Sequence, residues 1–296
     1  MAERVLPAVA IPQLPQVRTQ GPGVCIYCGS SKEFTSEHIV AFGFGGRHEL
    51  LESSCRDCAR ITSKCELRVL RGPFRPIRVA LGIQSRSKHR GAPTQLPLWV
   101  SREGAWSSVS LPHSEYPLLF ELLVYSPPGF VDATYVSGLR IRGHQVFSFG
   151  PRPVEVLRRL GAQQMSAPRQ YDPVSQARVT AKIAFAAAVA VGAINIAAGR
   201  PPVVDSILGK VDKIGHWVGT LAEPRTHLPD ALHAATVHYD PVAKLLFGRI
   251  QYLADSGTPA YGVILGAAED PWVVTSFAAQ PAAHRACTWA DTASPG

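Results

Sequence analysis

The sequence predicts an α+β protein in two unequal parts, a small metal-stapled module followed by a larger α+β domain. Three observations carry that expectation. Hydrophobic residues make up 46% of the 296 and charged residues 18%, so most of the chain can bury a core and is not disordered by composition. Five of the six cysteines fall between Cys25 and Cys65, which marks off a compact N-terminal unit. The 25 Gly and 25 Pro cut the apolar segments into short pieces, which suits strands and short helices better than long bundles.

Charge divides the chain the same way. Of a net +8, the stretch Val24–Arg90 holds +6, with 12 Lys/Arg against 6 Asp/Glu. A basic quarter beside a neutral remainder is how a nucleic-acid-binding module looks next to a partner domain. An acidic substrate of another kind is the open alternative.

Taken in order, residues 1–22, with Pro7, Pro12, Pro15 and Pro22, read as a Pro-rich flexible tail. The module follows over residues 23–72. Val24–Gly29 reads as a strand entering a metal knuckle, Thr35–Val40 as a second strand and Ala41–Arg47 as a Gly-rich loop. A helix is expected from Cys55, because Arg56, Arg60 and Lys64 recur at four-residue spacing while Ile61 and Leu67 serve the other face. Gly72-Pro73 ends it. Residues 73–95 read as a basic linker. Leu67–Arg90 holds seven Lys/Arg and no acid, which fits either a solvated linker or an arm that tracks phosphates.

The α+β domain is expected over residues 96–296, its role open. Leu96–Val100, Leu118–Tyr125 and Gln145–Phe149 are short apolar runs suited to strands and short helices. Val179–Ala198 is an Ala-rich helix. The 17 residues between Lys182 and Arg200 carry no charge, yet most are Ala, Gly or Asn. A membrane span needs about 20 predominantly apolar residues, so a buried core helix is the expectation and no membrane association. Ala231–Ala268 alternates apolar runs with turns at Tyr239-Asp240-Pro241 and Asp255-Ser256-Gly257, a three-stranded meander.

The chemistry concentrates in the module. Cys25-x-x-Cys28 and Cys55-x-x-Cys58, separated by 26 residues, offer the four-thiolate set that Zn²⁺ favours in closed structural sites. No apolar leader follows Met-Ala-Glu-Arg, so the reading is a reducing, cytoplasmic compartment, where such pairs bind metal more often than they form disulfides. A zinc ribbon that only holds a surface would account for the cysteines alone. Between the pairs stand Glu37 and His38. A carboxylate beside a histidine can ligate a divalent cation such as Mg²⁺ or Mn²⁺ while the histidine activates water. His89 and His113 read as surface residues, and His216, His233 and His238 as hydrogen-bonded structural ones. Cys65 reads as a small helix residue and Cys287 as a free thiol.

In order and spacing, Cys25-x-x-Cys28, Glu37-His38-Ile39, Gly45-Gly46 and Cys55-x-x-Cys58 resemble the HNH endonucleases, most closely the zinc-containing branch with a ββα-metal core. Ser54–Glu66 is similar to a group of uncharacterised bacterial HNH proteins, a likeness that continues through Ala181-Lys182-Ile183-Ala184, Ile207-Leu208-Gly209 and Pro259–Val263. The resemblance implies a metal-dependent endonuclease acting on DNA. His38 would be the general base and Glu37 a ligand of the catalytic cation, with structural zinc on the four cysteines. Such enzymes carry an Asn or His after the last cysteine, or one turn later, as the second ligand. Ala59 and Ser63 stand there instead, Glu66 is the nearest carboxylate on the helix, and His48 is another possible replacement. The central Asn of the pattern is absent, with Glu49–Glu52 in its neighbourhood. Arg56, Arg60, Lys64, Arg68, Arg71 and Arg75 are the expected DNA contacts. Two alternatives stand beside the enzyme: a non-catalytic, zinc-dependent DNA-binding module that has lost its metal ligand, and an assembly protein whose C-terminal domain does the work.

Overall fold

The computed structural model describes residues 16–83, 94–134, 136–166, 171–223, 227–228 and 231–278. Arg86, Lys88, His89, Arg90 and Cys287 lie outside them.

The N-terminal part is a three-stranded sheet followed by a helix. Strand β1 (Val17–Gln20) pairs in parallel with β3 (His48–Cys55), and β2 (Phe34–His38) pairs antiparallel with β3 on its other side. Helix α1 (Arg56–Arg71) follows β3 without an intervening residue. Cys55 is its N-cap, Asp57 lies in the first turn and Arg68 and Arg71 in the last, the charge order that suits the helix dipole. Its buried residues Cys58, Thr62, Cys65 and Val69 recur at three- and four-residue spacing and form one inward face.

Three expectations change here. Residues 17–20 form a strand and not part of a flexible tail, because β3 offers them a ladder: Val17 opposes His48 and Gln20 opposes Leu51. Val24–Gly29 is a turn and not a strand. Bringing two cysteines three residues apart onto one ion requires a reversal, closed by Gly29 N–H donating to the Cys25 carbonyl at 2.8 Å, with Gly29 at φ +77°. The basic linker over 73–95 begins as helix α2 (Arg75–Ala80), anchored by buried Phe74 and Ile77.

The remainder is built on small sheets. Strands β4 (Gln95–Arg102) and β5 (Ala105–Pro112) form a hairpin, and β6 (Leu118–Tyr125) pairs with β7 (Ile141–Phe149). Helix α3 (Pro153–Leu160) leads into β8 (Gln164–Ser166), which completes the β4–β5 sheet. Helix α4 (Pro173–Ala190) is followed by the short helices α5 (Val203–Leu208) and α6 (Ile214–Trp217) and by strand β9 (Val218–Thr220). The expected meander is present as β10 (His233–Asp240), β11 (Leu245–Tyr252) and β12 (Ala260–Ala267), with β9 added at the β12 edge; helix α7 (Thr275–Ala278) closes the described chain.

Helix α4 starts earlier and ends earlier than Val179–Ala198. Asp172 caps it by accepting from Ser175 N–H at 2.9 Å, and Pro173 occupies the first turn. The helix is buried almost throughout, and its alanines let β11 come close: a Cβ on Gly248 would lie 2.4 Å from the Ala184 Cβ. It is a core helix. Among the described residues no helix is long and apolar enough to cross a membrane.

The expected boundaries at residues 72 and 96 do not separate two cores. One apolar cluster runs from Cys25, Ile26 and Phe44 through Phe74 and Phe120 to Tyr252 and Val273. Phe74 packs edge-on against Phe44 and Phe120, both with ring centres 4.7 Å away, and against Tyr252 at 5.2 Å. The strand–strand–helix unit is therefore seated on the rest of the chain.

Candidate functional site

The first feature is a sulfur cluster. The knuckle carries Cys25 and Cys28, the end of β3 carries Cys55 and the first turn of α1 carries Cys58; their Sγ atoms all lie within 4.8 Å of one another, with Cys28 and Cys55 3.6 Å apart. Tetrahedral zinc at about 2.3 Å from each sulfur would space them by about 3.8 Å, so the cluster can hold a metal ion. Burial pushes the Cys25 and Cys58 thiols up. Four thiolates this close, three of them buried, repel one another unless a cation lies among them. Arg200, from the C-terminal part, steadies the knuckle by donating to the Tyr27 carbonyl at 2.9 Å. Cys65 is buried on α1 and stands outside the cluster.

The second feature is a cleft of about 470 Å³ between β2 and α1, lined by Glu37 and His38 on one wall and Ala59, Ser63 and Glu66 on the other, with Arg71 and Arg78 at its end. A smaller cavity of about 280 Å³ lies on the other side of His38 and is lined by Phe42, Arg47 and Glu49, so His38 borders both. Directly across the ladder from His38 stands Glu49, whose Oε1 is 3.1 Å from His38 Nε2. A carboxylate paired with one ring nitrogen fixes the imidazole orientation. Arg78 is half-buried. Its Nη1 reaches the Leu70 carbonyl at 3.4 Å, while its Nε is buried without a hydrogen-bond partner among the described residues.

Glu37 and Glu66 do converge, but on an ammonium. Lys182, projecting from α4, is 1% exposed, and its Nζ ion-pairs with Glu37 and lies 2.9 Å from Glu66 Oε1. It also donates to the His38 carbonyl, with the Ile39 carbonyl at 3.3 Å. An ammonium has three donors, and this cage uses them all. Burial alone would push Lys182 down, but the two carboxylates overcome it and hold it above its ordinary value. Glu37 is pushed up by burial and by the Glu66 charge, against the pull of Lys182. Tyr27, also buried, is held well above the ordinary phenol range by burial and by both carboxylates, so it stays protonated.

Glu37 and Glu66, the pair expected on a divalent cation, share the Lys182 ammonium, which neutralises one of their two charges. His48 does not reach the cleft. It opens β3 on the face opposite to Glu49 and bonds Thr19 Oγ1 at 2.8 Å. Ala59 and Ser63 face the cleft without offering a strong ligand. Arg56, Arg60, Lys64, Arg68, Arg71 and Arg75 are all exposed along α1 and the start of α2, although Arg60 pairs with Asp57 and Arg68 with Asp172. Of the structural histidines, His233 is half-buried and bonded on both ring nitrogens, whereas His216 Nδ1 is buried without a partner among the described residues.

Sequence reasoning missed Glu49 and Lys182 as site residues. Glu49 was visible only as an acid in the neighbourhood where the HNH pattern places an Asn. Lys182 had one signal, that it is the one charge in the Ala-rich stretch 179–198. No family model matches the chain, and no curated protein or solved structure matches it either.

Proposed function

We propose that the chain is a nuclease of HNH type that hydrolyses phosphodiester bonds in DNA, with structural zinc on Cys25, Cys28, Cys55 and Cys58. The observation that supports it is the His38–Glu49 pair, set in a cleft between a strand and the helix that follows the cysteines, with Arg71 and Arg78 at its end. In this reading His38 takes a proton from water as its oxygen bonds to phosphorus. The bond to the leaving oxygen breaks, and that oxygen takes a proton from solvent. The arginines bear the phosphate charge, and the exposed basic face of α1 holds the backbone of the strand. The alternative, a non-catalytic zinc-dependent DNA-binding protein, is favoured by one specific observation: Lys182 sits on the carboxylates that a divalent cation would need.

The experiment is nicking of plasmid and of single-stranded DNA by the full chain, with and without Mg²⁺, Mn²⁺, Ni²⁺ or Zn²⁺. A general base contributes about 10²–10⁴-fold, so His38→Ala is expected to leave less than about 1% of the rate with metal content and DNA binding intact. Wild-type protein that binds DNA and nicks none under any of these conditions replaces the enzyme with the binding module.

A further inference from the structure

We propose that the Lys182 ammonium is a built-in substitute for the divalent cation of this cleft. It fixes Glu37, Glu66 and the end of β2, so that the site works without an added metal. Lys182 is a positioning residue: at 1% exposed it cannot touch a substrate, and it acts through what it holds.

The geometry is that of a small cation site. Three elements send oxygen atoms to one point: the Glu37 carboxylate and the His38 carbonyl from β2, the Ile39 carbonyl just beyond it, and the Glu66 carboxylate from α1. Two carboxylates and main-chain carbonyls are the hard oxygen ligands that Mg²⁺ or Mn²⁺ takes. What occupies the point is a nitrogen carried by a helix whose neighbouring side chains are Ala181 and Ile183, both buried. An isolated buried charge is too costly to keep without partners. Lys182 is therefore matched to these acids, and they to it. Removing one member of such a cage leaves the others uncompensated.

Two consequences separate this from a lysine that only ties two helices together. The carboxylates are already satisfied, so a divalent cation has little to gain by entering. The cations that line the cleft are Arg71 and Arg78, and the Arg78 Nε is buried without a hydrogen-bond partner among the described residues. Phosphate would then be held by guanidinium groups while the ammonium holds the strand that presents His38. Because Lys182 comes from α4, the strand–strand–helix unit lacks its cation when cut away from the C-terminal part.

The proposal leans on the nuclease reading only in its kinetic arm, and its binding arm stands alone. Full-length protein with its cysteine-bound metal measured is titrated with Mn²⁺ by electron paramagnetic resonance. Wild type is expected to show no cleft site. Lys182→Ala and Lys182→Gln, each checked for folding by circular dichroism, are expected to gain one Mn²⁺ site that Glu66→Gln in the same background removes. Wild-type protein binding Mn²⁺ at a site abolished by Glu66→Gln overturns the proposal. So do two folded Lys182 variants that bind none. In the kinetic arm, wild-type cleavage is expected to be equal in Mg²⁺-free and Mg²⁺-containing buffer. Lys182→Ala should lose about 10²-fold, the scale of a misplaced catalytic group, and regain most of it with Mn²⁺, a rescue that a merely structural role would not show. A wild-type chain without cleavage sinks the nuclease reading and leaves the Mn²⁺ result to decide this one.

Discussion

His233 joins the unit that carries the cleft to the C-terminal sheet, and protonating it should loosen that joint. Its Nε2–H donates to the Phe44 carbonyl at 2.9 Å, and its Nδ1 accepts from Leu253 N–H at 3.1 Å. The ring packs among Phe44, Phe74 and Tyr252. The neutral tautomer satisfies both partners, whereas adding a proton at Nδ1 turns that nitrogen against another N–H. Burial accordingly pushes His233 from 6.5 down to about 4, opposed in part by the Phe44 carbonyl. The sign follows from proton counts. Between these two values the unfolded chain holds the extra proton and the folded chain does not, so stability falls as pH falls. It is fully present above 6.5 and levels off below about 4. At about 1.4 kcal/mol per pH unit the gap is worth roughly 3 kcal/mol, a large share of the 5–15 kcal/mol typical of a folded domain. Urea unfolding of wild type and His233→Gln from pH 7 to pH 4 checks it, because carboxylates titrate in both proteins and cancel in the difference. Wild type is expected to lose roughly 3 kcal/mol more than the variant over that window. Parallel curves would refute the reasoning.

Cys58→Ser should lose stoichiometric metal and expose the segment around residues 24–70 to protease, since thiolate sites contribute folding free energy; elemental analysis that finds no metal in untreated wild type removes the premise. DNA affinity should fall steeply with salt, with a slope near −0.9 per phosphate neutralised, and reversing Arg56, Arg60 and Lys64 to Glu should flatten it; a binding constant indifferent to salt contradicts a backbone-tracking face. Phe74→Ala should cost about 3–5 kcal/mol and lower the unfolding of the whole chain in one transition; a variant that melts only one half shows two cores.

The elements most legible in the sequence are those whose stabilising partners are close along the chain. Helix α1 carried its own amphipathic spacing and its Gly-Pro stop, and the meander β10–β11–β12 carried its own turns. Strand β1 carried neither. Val17–Gln20 is mostly exposed and is a strand only because β3, some thirty residues on, supplies a parallel ladder that no local pattern contains. Helix α2 was hidden for a different reason. Four arginines from Arg68 to Arg78 mark the stretch as solvated, whereas two apolar side chains, Phe74 and Ile77, decide where it goes. Both are buried, and Phe74 packs on Phe120 of β6 and Tyr252 of β11, partners that the run itself does not show.

The site divides along the same line. Four cysteines, Glu37 and His38 fall within 34 residues, and their spacing alone brings them to one end of a strand–strand–helix unit. Lys182 lies 144 positions from the carbonyl it caps, far beyond the reach of any spacing argument. Yet a physical argument does reach it. A helix buried on every side cannot keep a lone ammonium without a compensating charge, so a lysine between Ala181 and Ile183 demands a carboxylate from somewhere else in the fold. The chain offers few acids in apolar surroundings, and Glu37 and Glu66 are two of them, each next to residues that the core needs. The charge that looked like an interruption of a hydrophobic helix ties that helix to two acids of the cleft. The cleft is lined by residues 35–78, yet two of its acids are neutralised from the other half of the chain.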